Sequence, residues 1–134
     1  MLAVTSYPKD YVDACRRTIA AQLDAYDALA NSGGAAVAAF EPGYFNLMVL
    51  ALDHFFLHRL RSGEGKDGNP LNELRMLCDG IKDNGGVLKK NGTIKYDAAR
   101  SVAGIGIDQA IVLDRARFGQ LAEAVFDEVG KRFG

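Results

Sequence analysis

The sequence predicts an α+β fold in which helices dominate, with about four helices and a small antiparallel β element between the third and the fourth. Three observations carry this. Four stretches read as helices, three with apolar residues at three- and four-residue spacing and the second in order apolar nearly all round. Between the third and fourth of them, around Asn91 and Gly92, the period shortens to an alternation. The 134 residues, 49% hydrophobic and 25% charged, suit a single domain over residues 1–134 with one core.

The first helix opens near Pro8, which lacks the N–H that a first helical turn leaves unused anyway. Val12, Cys15, Ile19, Leu23, Tyr26 and Ala30 form its apolar stripe, and Gly33 and Gly34 end it. The second helix is predicted to start near Pro42 and to run to about Arg61. Its first half is apolar around nearly the whole circumference, which predicts a place at the centre of the domain or at a subunit interface. Asn69 and Pro70 open the third helix as cap and first residue, with Leu71, Leu74, Leu77 or Cys78, and Ile81 as its stripe.

A hairpin follows over residues 87–96. Asn91 and Gly92 would supply the two positive φ angles of a tight turn, so that Val87 faces Tyr96 and Lys89 faces Ile94. A second extended stretch covers residues 102–107 and 110–113, turning at Asp108 and Gln109. Asp114 caps the last helix, whose stripe is Phe118, Leu121, Ala122, Val125, Phe126, Val129 and Phe133.

Charge and composition narrow the function classes. Sixteen basic and 17 acidic residues give a net charge of −1, which removes the simplest argument for a nucleic-acid or anionic-membrane partner. Lys89, Lys90 and Lys95 read as an edge that discourages sheet aggregation. The start of the chain has neither the basic nor the apolar segment of a secretory signal, and the longest apolar run, residues 47–52, falls short of a membrane span. Cys15 and Cys78 form no CxxC pair and read as buried free thiols. A cytoplasmic protein is the expectation.

The chemistry-bearing residues concentrate where the second helix meets the third. Both histidines, His54 and His58, lie there, four apart and so on one helical face, flanked by Asp53, Arg59 and Arg61. Two imidazoles at that spacing can hold a transition metal, but a zinc site needs a third ligand and no HExxH motif supplies one, so neither metal nor cofactor is expected. Glu64, Lys66 and Asp67 follow on a glycine-punctuated loop. In a catalytic reading Asp53, His54, His58, Glu64 and Asp67 supply acid–base chemistry, with Glu64 or Asp67 as base. In a binding reading Arg59, Arg61, Lys66 and Glu73 would contact a ligand. In a structural reading the acids pair with Arg59, Arg61 or Arg75, and the loop folds back so that a carboxylate approaches His58. Gly104 and Gly106 lack the third glycine of a dinucleotide fingerprint, and Ser101 lies in no nucleophile elbow.

The run EGKDGNPLNELR (residues 64–75), with the segment from Glu41 to Phe55 before it, resembles a family of small bacterial proteins of unknown function. That resemblance covers about a third of the chain and implies no activity. The HEPN-type RNases place an arginine before a histidine. Here His54 and His58 precede Arg59 and no later histidine follows, so that motif is not met. The expectation is a non-enzymatic domain that binds a partner chain or small ligand, with a symmetric homodimer covering the second helix. A small hydrolase-like enzyme built on the His54, His58, Glu64 and Asp67 cluster is the alternative.

Overall fold

The computed structural model describes residues 2–134. Five α-helices follow in order: α1 (Lys9–Asn31), α2 (Ala35–His54), α3 (Arg61–Glu64), α4 (Pro70–Asp83) and α5 (Arg115–Phe133). Helices α1, α2, α4 and α5 pack round one core, with α5 against the other three. Its centre is aromatic: Phe45 meets Phe118 at 5.8 Å between ring centroids, and Phe56 meets Phe126 at 6.1 Å.

Three of the long helices form where and why their sequences say. The stripe of α1 is buried from Val12 to Tyr26, and every predicted stripe residue of α5 is buried. Asn69 accepts hydrogen bonds from the amides of Leu71 and Asn72, with Pro70 opening α4, and Asp114 accepts from Arg117 N at 2.7 Å to open α5. Before α1 an extended segment staples the helix ends together. Val4 N donates to His58 O, Leu60 N to Val4 O, and Tyr7 N to Phe133 O, at 2.7, 2.8 and 2.7 Å.

The second helix departs from its predicted bounds at both ends. It begins at Ala35, after Gly34 at φ 106°, and carries Pro42 inside it. The proline leaves Ala38 without its helical N–H partner, which is tolerable because both residues face solvent. The helix ends at His54, where i→i+3 bonds tighten the backbone: Phe56 N to Asp53 O at 3.0 Å and Arg59 N to Phe56 O at 3.1 Å. Nor is it central. Phe45, Met48, Val49 and Leu52 are buried, while Leu47 is 65% and Phe40 46% exposed. At 20 residues it is long and apolar enough, by length and composition alone, to cross a membrane.

The β element is not there. Among the described residues no strand forms, only two isolated bridges, Val4 with Arg59 and Val87 with Ala110. The fold is therefore helical with irregular connections, not α+β. The hairpin fails because its polar groups find other partners. Asn91 Oδ1 accepts from the amide and the hydroxyl of Thr93, both at 2.9 Å, and neither Asn91 nor Gly92 takes a positive φ. Lys95 N donates to Lys66 O, and the Tyr96 hydroxyl to the Ile105 carbonyl. Residues 86–88 pair instead with 108–111, through Leu88 N to Gln109 O, Asp108 N to Leu88 O and Ile111 N to Gly86 O. Asp108, at φ 67°, makes the bend that this needs.

Candidate functional site

The polar residues after α2 do come together, and Glu64 is their centre. Its carboxylate is almost wholly buried, yet four donors reach it. Arg59 Nε approaches Oε1 at 2.7 Å and Arg75 Nη2 the same oxygen at 2.7 Å. Arg75 Nε and Asn72 Nδ2 approach Oε2 at 3.1 and 2.7 Å. Arg75 thus grips the carboxylate with two parallel N–H groups, the geometry that guanidinium and carboxylate planes share. Arg59, equally buried, sends Nη1 to Asp53 Oδ1 at 2.9 Å and to Phe56 O at 3.0 Å.

The sequence spacing explains the assembly. α3 is a single turn that delivers Glu64, and Gly65 and Gly68 then reverse the chain so that Asn69 can open α4 alongside. Asn69 Nδ2 donates to Glu64 O at 2.8 Å while its Oδ1 caps the helix. Asn72 and Arg75 stand three apart on α4, one above the other, facing back to Glu64. Asn72 also holds the loop, donating to Gly65 O and accepting from Gly68 N, both at 2.9 Å.

Burial alone would raise the Glu64 carboxyl. The Arg75 hydrogen bond, the charges of Arg59 and Arg75 and the Asn72 amide outweigh it and hold Glu64 below the usual carboxylate range. Asp67 is also held low, by the Asn69 side chain first and by Arg132, whose Nη2 lies 3.1 Å from Oδ2. Glu73 differs. It is buried with no cation on it, and its two oxygens accept Val102 N at 2.9 Å and Ala103 N at 2.8 Å. Desolvation raises its pKa against the pull of those two amides.

Each predicted site residue can now be placed. Asp53, Arg59 and Glu64 meet in one network, and Asp67 stands apart at the C-terminal end of α5. Glu73 pins the irregular connection onto α4 and is closed to any ligand. His54 and His58 do not share a helical face, because α2 ends at His54; both are exposed, and neither imidazole holds a hydrogen bond or ion pair among the described residues. The carboxylate expected beside His58 is engaged by arginines instead. Arg61, expected to pair with Glu64 or Asp67, and Lys66, a candidate ligand contact, are both exposed and unpaired among the described residues. Among those residues no group of three His, Cys, Asp or Glu side chains is placed to hold a metal ion. Asn72 and Arg132 went unnoticed in the sequence. The i,i+3 relation of Asn72 to Asn69 and Arg75 was the available signal for the first.

Comparisons with protein-family models, with curated protein sequences and with solved structures return no match.

Proposed function

We propose that this protein is a non-enzymatic binding domain that docks through the outer face of α2, with a second copy of itself as the occupant. The closure of the polar cluster supports the first part. Glu64 is enclosed by two arginines and an asparagine, and among the described residues neither histidine makes a hydrogen bond or ion pair with a carboxylate that could work as its proton partner.

The observation that carries the docking face is the exposed seam of α2. Ala36, Phe40, Gly43, Leu47, Leu50 and His54 follow one another at alternating spacings of four and three, the seam of a coiled coil, and all are exposed but Leu50, which is partly buried against the core. The seam bears no carboxylate, lysine or arginine, so a copy of itself would bury no unpaired charge there. It is also complementary to itself when antiparallel. A two-fold axis at position 45 sets Gly43 opposite Leu47, Phe40 opposite Leu50 and Ala36 opposite His54, small against large at the middle and at the ends. A Cβ added at Gly43 would meet nothing within 4 Å, so the space that Leu47 of a partner would need is open.

Thiol cross-linking tests this cleanly because Cys15 and Cys78 are both buried and free. Burial raises both thiols, which keeps them inert to mild oxidation. The Gly43→Cys, Leu47→Cys double variant is expected to form a covalent dimer on oxidation. Recovery of uncross-linked monomer alone would contradict the docking face.

A further inference from the structure

The same closure that silences Glu64 leaves a cationic cleft on its outer side. A depression of about 330 Å³ is lined by Leu2, Ala3, Leu57, His58, Arg59, Arg61 and Arg75, with three arginines, a histidine and no carboxylate in its wall. Asp53 and Glu64 behind the wall offset two of the guanidinium charges. Arg61 is the surplus. Arg75 is turned so that Nε and Nη2 hold Glu64, while its Nη1 makes no hydrogen bond among the described residues. The guanidinium is therefore fixed in orientation with one N–H edge unengaged, a donor held still before any ligand arrives. His58 lines the same cleft with its imidazole free of partners among the described residues, and Leu57, Leu2 and Ala3 supply the apolar part of the lining.

We infer that this cleft is a binding site for an organic phosphate, the phosphoryl group taken by Arg61, Arg75 Nη1 and His58 and the carbon body laid on Leu57, Leu2 and Ala3. A doubly charged, tetrahedral anion suits two guanidinium groups and an imidazole better than a single carboxylate would. The volume admits a phosphoryl group with a few carbons but not an extended polymer. The site goes beyond self-association, since it lies outside the exposed seam of α2 and uses other side chains.

Calorimetric titration of the full chain with inorganic phosphate and with butyl phosphate tests it. Butyl phosphate is expected to bind saturably and more tightly than inorganic phosphate. Arg61→Ala and His58→Ala, both at exposed positions without partners, are each expected to weaken it, Arg61→Ala by about tenfold or more. Lys66→Ala is expected to leave it unchanged, because Lys66 does not line this cleft but an adjoining one, which shares Arg61 with it. Binding should also persist in Leu47→Glu, which separates failure here from failure of the α2 docking face. Absence of saturable binding, equal affinity for the two phosphates, or full affinity in Arg61→Ala would overturn the assignment.

Discussion

Glu64 shows how a residue that looks chemical can be architectural. An isolated carboxylate so deeply buried would be protonated or would not be buried at all. Here Arg59, Arg75 and Asn72 make the charged form the comfortable one, and in return Glu64 joins the turn after α2 to α4. Replacing such a pair wholesale can be neutral, but removing one partner strands the other charges. Glu64→Gln keeps the shape and leaves Arg59 and Arg75 facing an uncharged amide, so it is expected to lower unfolding free energy by about 3–5 kcal/mol in denaturant titrations. The pH dependence follows from the sign of the shift. With its folded pKa depressed, Glu64 stabilises the protein above its unfolded value and ceases to do so as pH falls through the folded one. Glu73, shifted upward, works in the opposite sense: its contribution is present below its unfolded pKa and lost as pH rises through the folded one. The stability gap between wild type and Glu64→Gln should therefore be full at neutral pH and shrink in acid. A gap that stays constant down to the acid limit would mean that Glu64 is not ionised in the fold.

Among the elements, legibility tracked how local the deciding interaction was. The caps of α4 and α5 lie within three residues of what they cap, so Asn69, Pro70 and Asp114 announced them correctly. The end of α2 was misjudged because a tightening turn and a long-range bridge from Val4 to Arg59, not any local breaker, terminate it. That error carried the histidine pair with it. The hairpin differs for the same reason, since the backbone groups of Lys95 and Leu88 that would zip it are held by Lys66 on a distant loop and by Asp108 and Gln109. Of the candidate site, the Arg59–Glu64 pairing was legible from proximity, whereas the capture of Glu73 by Val102 and Ala103 depends on the chain folding back over separations of 29 and 30 residues. Two glycines hold the irregular connection close. A Cβ at Gly80 would stand 2.6 Å from both Val87 O and Ile111 Cδ1, and one at Gly68, at φ 85°, would overlap the Lys95 carbonyl oxygen. Gly80→Ala and Gly68→Ala are each expected to lower the melting temperature. Gly43→Ala, where space is open, should cost less than either. Equal melting temperatures for all three would show that the connection is not packed as described.

For the molecule as a whole, the most apolar helix leaves one of its faces uncovered. Four side chains of α2 enter the core and its other face carries Phe40 and Leu47 into solvent. Among the described residues no other element covers them, and the proposed docking face uses this surface. The sequence pattern predicts an all-round apolar helix at the centre of the domain or at a subunit interface. What it could not show was which side remained open, because that depends on how α1, α4 and α5 divide the rest. The most direct measurement is sedimentation equilibrium of the wild type and of Leu47→Glu at micromolar concentration. A dimer mass for the wild type, reduced to the monomer mass by a charge placed at the middle of the seam, is the predicted result; a wild-type monomer, or a dimer indifferent to Leu47→Glu, would contradict it.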